Sequence, residues 1–317
     1  MSRALTLLVL ALLMAGCAPA LTATSPAAQS TLPTTSPTAV SATATRTPAA
    51  AGRTATATAA TASPTPNPAD WQDWAVIPAG LSPAMQRVFA RGQQLGRDPR
   101  AFSKVGDCET RTTWFLWEFD QQVRNYSLGD YEHLQRVVDH FQGSFSRLSL
   151  AASFGYTAAT VQTPLFADHT ICLKDESPLA CEYRVHNPAF ALITLGTNDA
   201  VKPESFEPNL RRLIEFTLDQ GIVPVLSTKA DNLEKDHANN ATLARMAAEY
   251  ELPLWNFWLA VQPLPRHGLQ KDGVHLTFAA PYFDDPWAMQ QAWPVRNLTA
   301  LQVLEVLMVE TNGAGKQ

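Results

Sequence analysis

The stretch Lys104-Val105-Gly106-Asp107-Cys108-Glu109-Thr110 decides how the fold of this chain is predicted. It follows a short apolar-rich run, residues 101–105, that predicts a strand, and it precedes an amphipathic run, residues 112–123, that predicts a helix. A strand that turns sharply through Gly-Asp into a helix presents the next side chain at the carboxyl edge of a sheet. That side chain is Cys108, and the free N–H groups and dipole of a helix N-terminus favour negative charge there.

The rest of the chain continues this alternation of strand and helix. Ser82 and Asn297 are the expected N-caps of the first and last helices. Apolar runs predict strands at 101–105, 145–151, 190–195, 222–226 and 252–256, and amphipathic runs predict helices at 82–96, 112–123, 131–141, 206–220, 239–250 and 298–309. This order predicts an α/β domain with a central, mostly parallel sheet of about five strands and helices on both faces.

The candidate site residues fall at one edge of that sheet. Cys108, Gly155 and Asn198 each follow a predicted strand directly, and His275 lies in a loop beyond the last strand. Ligands of such sheets bind outside the carboxyl ends of the strands. Because these segments are far apart in sequence, their agreement in position predicts that they form one site.

His275 is the candidate general base. Asp272 precedes it by three residues. In a turn, this spacing lets the carboxylate reach Nδ1–H, fix the tautomer and leave Nε2 free as the base. The alternative is a histidine without a catalytic role, since many loops contain Asp-x-x-His.

Asn198 and Gly155 are the candidate oxyanion donors. The Asn198 amide can donate to a developing oxyanion, or it can form an Asx-turn that caps the next segment. Gly155 has no Cβ, so its N–H can approach a ligand closely; it can also be an ordinary loop glycine, and Gly143 competes for the same role. Asp107 and Asp199 are expected to brace their turns through backbone hydrogen bonds.

Cys108 is open to two interpretations. As a nucleophile, its thiolate would be favoured by the helix N-terminus and by His275. As a structural residue, it would be a small, buried apolar side chain. Glu109 counts mildly against strong activation, because its negative charge opposes thiolate formation.

The N-terminal segments predict targeting rather than fold. Residues 1–16 carry Arg3, an apolar core and small residues before Cys17, the pattern of a secretory signal peptide. Met-Ala-Gly-Cys at 14–17 resembles the lipobox of bacterial lipoproteins, which implies cleavage before Cys17 and a diacylglyceryl thioether on its sulfur. The alternative is an ordinary signal peptide with an incidental cysteine. Residues 17–69, almost wholly Ala, Thr, Ser and Pro, predict a disordered tether between the lipidated cysteine and a folded domain at 70–317.

The charge and the cysteines of the chain indicate which kinds of partner it binds and in which cellular compartment it is found. Excluding the three arginines before residue 70, the chain has 21 basic and 29 acidic residues, a net charge of −8 that disfavours nucleic acid as a partner. We expect an extracytoplasmic monomer, anchored by lipid to the bacterial cell membrane. Cys172 and Cys181 flank a polar loop and predict a disulfide in that compartment, with two reduced buried thiols as the alternative. Cys108 is then left without a partner.

Taken together, these stretches resemble the SGNH (GDSL-type) hydrolase superfamily over about residues 100–310. The resemblance rests on four blocks in the family's order. Gly106-Asp107-Cys108 resembles the first block, Gly-Asp-Ser, and Gly155 resembles the glycine of the second. Gly196-Thr197-Asn198-Asp199 matches the third, Gly-x-Asn-Asp, and Asp272-Gly273-Val274-His275 matches the fifth, Asp-x-x-His. The departure is Cys108, where the family has serine.

This resemblance implies a flavodoxin-like three-layer αβα domain and an ester hydrolase or acyltransferase that needs no metal or other cofactor. Carried over to this chain, Cys108, His275 and Asp272 become the triad, with the N–H groups of Cys108 and Gly155 and the Asn198 amide as oxyanion donors. The expected substrate is a small-molecule, glycan or lipid ester. The alternative is a catalytically degenerate domain that binds cell-wall glycan or lipid. A misplacement of the larger sulfur by about 1 Å can cost about a hundredfold in rate.

Overall fold

The computed structural model describes residues 67–312. Its strands are β1 Asp98–Gly106, β2 Pro188–Thr194, β3 Val223–Ser227 and β4 Leu254–Trp255. Its α-helices are α1 Pro83–Gln94, α2 Cys108–Arg111, α3 Gln135–His140, α4 Pro178–His186, α5 Phe206–Asp219, α6 Ala238–Glu249, α7 Phe257–Val261 and α8 Ala292–Asn312. The 3-10 helices are Pro68–Asp73, Trp117–Asp120, Gly129–Leu134, Thr160–Gln162, Pro164–Phe166, Asn198–Val201, Pro203–Ser205, Pro265–Gly268 and Ala288–Gln290.

The four strands form one parallel sheet in the order β1-β2-β3-β4. Residues 102–106 pair with 190–194, and residues 190–193 pair with 223–226. All strands therefore end at the same edge, where the predicted site residues follow them. The prediction of an α/β domain built on a parallel sheet is confirmed.

Helices cover both faces of this sheet. Neighbouring residues of a strand point to opposite faces. In β1, the Phe102 ring packs edge-on against two rings. Its centroid lies 5.6 Å from that of Phe141, the residue directly after α3, and 5.2 Å from that of Phe145. The next residue, Ser103, donates a 2.6 Å hydrogen bond to Glu182 of α4. Coverage on both sides explains why β2 and β3 are almost continuously buried.

The fifth strand, predicted at 145–151, is not formed. That segment makes turns and meets the sheet through a single parallel bridge between Gly106 and Ala152. Buried side chains take its backbone groups instead: Lys104 Nζ donates to the Phe145 carbonyl at 2.6 Å, and Glu182 accepts from the Leu150 N–H at 2.8 Å. The segment still arrives beside the end of β1, so the position of Gly155 does not depend on a full strand.

Two helix predictions were also wrong near the site. Residues 112–123 do not form one helix, because Leu116 adopts a left-handed backbone with φ of 66°. Asn297 lies inside α8 and does not cap it. Its side chain accepts from the Leu116 N–H and donates to the Trp114 carbonyl, both at 2.9 Å, and so holds the loop after α2.

The predicted domain boundaries lie mostly outside the described residues. The signal peptide at 1–16, Cys17 and nearly all of the tether at 17–69 fall there; the 3-10 helix Pro68–Asp73 begins two residues before the predicted domain start. Within residues 67–312, no helix combines the length and the apolar character that crossing a bilayer requires. Cys172 and Cys181 form a disulfide with an S–S distance of 2.05 Å.

Candidate active site

Cys108 is the first residue of α2, directly after the turn that ends β1. Asp107 precedes this helix as its N-cap, and its carboxylate accepts the Glu109 N–H at 3.1 Å. The Asp107 carbonyl accepts the N–H of Arg111 at 2.9 Å. The Cys108 side chain is half-buried, and it is a free cysteine.

Gly106 makes this turn possible. A Cβ at Gly106 would overlap the hydroxyl groups of Thr110 and Thr194, which hydrogen-bond to each other. This close approach ties α2 to the end of β2, so the position of Cys108 follows from two strands.

The surroundings of Cys108 disfavour its thiolate, in the direction expected from the charge of Glu109. Burial raises the pKa of the thiol to about 11, and the nearby Asp107 and Glu109 carboxylates act in the same direction. The helix is only four residues long, so its dipole is too small to offset two carboxylates. Each of these causes favours the neutral thiol over the thiolate.

His275 and Asp272 form a hydrogen-bonded pair. The His275 Nδ1 lies 2.7 Å from Asp272 Oδ2, and the other oxygen, Oδ1, accepts the N–H groups of Val274 and His275 at 3.0 Å. These hydrogen bonds, that to His275 foremost, lower the pKa of Asp272 to about 2. Because an ionised carboxylate can only accept, Nδ1 carries the proton, and Nε2 makes no hydrogen bond to any of residues 67–312. The same hydrogen bond raises the pKa of His275.

Cys108 and His275 are linked indirectly. No hydrogen bond joins the Cys108 sulfur to a side chain within residues 67–312. The link runs through Glu109, whose Oε1 accepts the N–H of Leu276 at 3.3 Å. The base and the nucleophile thus belong to segments that touch, without a direct contact between the two reacting groups.

The predicted oxyanion donors lie on two segments that also touch. Asn198 Nδ2 donates to the Tyr156 carbonyl at 3.1 Å, next to Gly155, which adopts a φ of 74°. In the described chain, the N–H groups of Cys108 and Gly155 donate to no other residue. The competing Gly143 donates its N–H to Asp120 at 2.8 Å, so that group is already taken.

Asp199 holds the Gly155 segment in place. It is buried, and its carboxylate accepts the Ala158 N–H at 3.0 Å. Burial raises the pKa of Asp199 to about 6, although the backbone hydrogen bonds act to lower it. Its contacts are with backbone groups, as expected of a residue that braces a turn.

A second group of charged residues, not anticipated from the sequence, lies next to residues 196–199. Lys229 Nζ contacts Asp231 at 2.7 Å and Glu234 at 2.6 Å. Asp231 also accepts the Thr197 hydroxyl at 2.7 Å. This buried cluster fixes the backbone just before Asn198. The signal in the sequence was weak, since a lysine after an apolar strand is common at a surface.

A small, partly open cavity of about 30 Å³ lies between this cluster and the turn after β1. It is lined by Asp107, Glu109, Thr194, Thr197, Ser227, Thr228, Lys229, Ala230, Asp231, Phe257, Val274, Leu276 and Arg296. A water needs about 10–15 Å³ on this measure, so the cavity has room for about two. Its volume is too small for an acyl chain.

Sequence reasoning also missed Arg296. It is buried in α8, where Nη1 donates to the Glu109 carbonyl at 3.2 Å and lies 3.6 Å from Glu109 Oε2. The available signal was a single arginine in a helix with a long apolar run, because arginine is seldom buried without a partner.

One cluster with metal-ligand chemistry occurs among the described residues, and it lies on the disulfide. It consists of Cys172, Glu176 and Cys181. Both cysteine sulfurs are bonded to each other, so neither is available as a thiolate ligand.

Comparison with known proteins gives a partial sequence match. The chain is 26% identical over 119 residues to "Thioesterase 1/protease 1/lysophospholipase L1" of Escherichia coli K12, and the match covers 35% of this chain and 57% of the relative. The same protein from a second Escherichia coli strain, CFT073, matches equally. The chain thus spans little more than half the length of the curated relatives it matches. No family model matches the chain.

Solved structures also resemble the chain. A putative lipolytic protein of the G-D-S-L family from Desulfitobacterium hafniense has 12% identity and a TM-score of 0.39, covering 64% of this chain and 99% of that one. An acetyl xylan esterase from Geobacillus stearothermophilus has 14% identity and a TM-score of 0.42, covering 64% and 94%. Likenesses at this level carry no argument about activity.

Proposed function

We propose that this protein is an SGNH-like ester hydrolase or acyltransferase that uses Cys108 as nucleophile, His275 as general base and Asp272 as the residue that orients the base. The observation that carries the proposal is the 2.7 Å hydrogen bond between His275 Nδ1 and Asp272 Oδ2, because it leaves Nε2 free to accept a proton. The partial match to the curated relatives supports the same class of chemistry.

The proposed reaction starts from a neutral thiol. His275 Nε2 takes the proton from Sγ while the sulfur attacks the ester carbonyl carbon, and the carbonyl π electrons move onto oxygen. The N–H groups of Cys108 and Gly155 and the Asn198 amide would donate to that oxyanion. Its collapse breaks the C–O bond, and the leaving alkoxide takes the proton from Nε2.

The resulting thioester is then cleaved in a second step, in which water or an acceptor hydroxyl attacks and the Cys108 sulfur is the leaving group. Water, or an acceptor hydroxyl in a transferase, gives its proton to His275 Nε2 and attacks the acyl carbon. The second oxyanion collapses, the C–S bond breaks, and the proton returns to the Cys108 sulfur. Burial raises the pKa of the thiol to about 11, which favours removal of its proton by a general base over attack by a preformed thiolate.

The proposal includes the location. The Met-Ala-Gly-Cys sequence at 14–17 and the polar stretch that follows support an extracytoplasmic lipoprotein whose domain acts near the membrane. Labelling of growing cells with a radioactive or clickable fatty acid tests this part. Label that persists after Cys17→Ala would contradict it.

Hydrolysis of p-nitrophenyl acetate tests the activity. Wild-type protein is expected to release p-nitrophenol, and Cys108→Ala is expected to release it no faster than buffer. Asp120→Asn is the matched control, because the Asp120 carboxylate accepts the Gly143 N–H and has no role in the proposed reaction. This variant shows whether expression and purification of a mutant alter the measured rate. Equal rates for the wild type and Cys108→Ala would contradict the proposal.

A non-catalytic role is the second candidate, favoured by the absence of a direct hydrogen bond from the Cys108 sulfur to His275 in residues 67–312. A domain of this kind would bind cell-wall glycan or lipid in the same place. It predicts no esterase activity, together with an increase in Tm when soluble peptidoglycan fragments are added. No shift with any such fragment would count against it.

A further inference from the structure

Glu109 lies between the two halves of the proposed active site. It directly follows Cys108, and its Oε1 accepts the N–H of Leu276, the residue after His275, at 3.3 Å. Within the described chain, this is the one hydrogen bond between residues 107–111 and residues 270–277. The carboxylate therefore connects the helix of the nucleophile to the loop of the base.

Arg296 holds Glu109 from the other side. Its Nη1 donates to the Glu109 carbonyl at 3.2 Å and lies 3.6 Å from Oε2. The guanidinium packs over the rings of Phe115 at 4.5 Å and Trp293 at 5.3 Å. An arginine packed in this way between aromatic rings has little freedom to move, so it fixes Glu109 against α8.

The pair is not arranged for maximal stability. Glu109 Oε2 and Arg296 Nε are buried and make no hydrogen bond to any residue of the described chain. Both side chains are largely buried, and a buried ion pair often stabilises a protein no more than apolar side chains of similar size do. A costly pair beside a candidate site is better explained by what it holds in place.

We propose that Glu109 is a positioning residue, which sets the place of His275 relative to Cys108 through its hydrogen bond to the Leu276 N–H. The kinetic consequence rests on the proposed hydrolase function, whereas the effect on the Leu276 N–H does not. A reacting group displaced by about 1 Å can lose about a hundredfold in rate. Without Glu109, the loop of His275 is still held by Gln270, whose N–H donates to the His275 carbonyl and whose side chain donates to the Leu276 carbonyl, both at 2.8 Å. We therefore expect the loop to stay folded and to shift relative to Cys108.

Two substitutions separate the hydrogen bond from the charge. Glu109→Gln keeps an oxygen that can accept the Leu276 N–H but removes the negative charge. Glu109→Ala removes both. Each leaves Arg296 without its carboxylate, so the two variants should be destabilised to a similar degree. Glu132→Ala, at an exposed carboxylate with 67% of its side chain accessible, serves as the control.

Two measurements decide the matter: kcat and KM for p-nitrophenyl acetate, and the hydrogen-exchange rate of the Leu276 amide by NMR. Glu109→Ala is expected to exchange this amide at least about tenfold faster and to lose about tenfold or more in kcat with KM nearly unchanged. Glu109→Gln is expected to stay close to the wild type in both.

The outcomes distinguish the failures. Equal losses of kcat in Glu109→Gln and Glu109→Ala, in step with their lower Tm, would overturn the inference in favour of a merely structural role. Unchanged Leu276 exchange in Glu109→Ala would overturn it as well. If the wild type shows no Cys108-dependent turnover, the proposed function fails, and the exchange comparison still decides whether Glu109 holds the loop.

Discussion

The rate at which iodoacetamide alkylates Cys108 measures how much thiolate the site contains. Burial and the carboxylates of Asp107 and Glu109 raise the pKa of this thiol from an ordinary 9.0 to about 11. At pH 7 the thiolate fraction is then about 10⁻⁴, against about 10⁻² for an ordinary thiol. A more basic thiolate is a better nucleophile, and over two pKa units its reaction rate rises roughly eightfold. This gain offsets part of the roughly hundredfold loss in thiolate fraction. We therefore expect alkylation at pH 7 to be about tenfold slower than that of an ordinary thiol.

The assay uses the full chain in competition with N-acetylcysteine, and mass spectrometry of the peptide that contains Cys108 keeps it separate from Cys17. The rate is expected to rise about tenfold per pH unit from about pH 6 to about pH 10, since only the thiolate reacts. Glu109→Gln should react faster, because it removes one of the two carboxylates. A pH-independent plateau between about pH 6 and about pH 8, faster than the competitor, would refute this reasoning and show a thiolate–imidazolium pair.

Three further predictions concern the base, the buried ion pair and the disulfide. The kcat/KM for p-nitrophenyl acetate should rise with pH through a pKa above the ordinary 6.5, because His275 must be neutral to accept a proton and its carboxylate partner raises its pKa; a falling rate over that range would contradict this. Arg296→Met should lower the free energy of unfolding in urea by about 3 kcal/mol, because Glu109 is left buried without a counter-ion, and adding Glu109→Gln should recover part of the loss; equal stability of the single and double variants would argue against charge as the cause. Replacing both Cys172 and Cys181 by alanine should cost about 2–3 kcal/mol, given their separation of nine residues, and leave kcat unchanged; a loss of activity at full stability would place the loop in the site.

The strands that carry the site could be predicted from the sequence. Continuous apolar runs such as 190–195 predict buried parallel strands, and those runs end within one or two residues of the observed β2 and β3. Because parallel strands end at the same edge, the positions of Cys108 after β1 and of Asn198 after β2 followed from local patterns alone. The Asp272–His275 pair was equally accessible, since it depends on a spacing of three residues.

Features that depend on distant pairing could not be predicted in this way. The segment 145–151 has a strand pattern, but Lys104 and Glu182 occupy its backbone groups. Asn297 is a residue type that often caps helices, but its side-chain amide hydrogen-bonds to a loop more than 180 residues away in sequence. In both cases a buried polar side chain meets a partner that only the folded chain brings near.

The protonation of Cys108 shows the same limit. Its position before an amphipathic run favoured a thiolate, but the true helix has four residues and two adjacent carboxylates. The length of a helix after such a turn is set by what packs on it, here the loop held by Asn297. Local pattern therefore placed Cys108 correctly at the sheet edge and identified Glu109 as opposing a thiolate, but it did not show the short helix or the burial.

Trapping an acyl group on Cys108 tests the central claim most directly. Wild-type protein mixed with p-nitrophenyl acetate, quenched in acid within its first turnovers and digested, is expected to carry one acetyl group as a thioester on the Cys108 peptide. His275→Ala should carry much less after the same time. Turnover of the ester by the wild type with no acetyl group on Cys108 at any quench time would contradict the account.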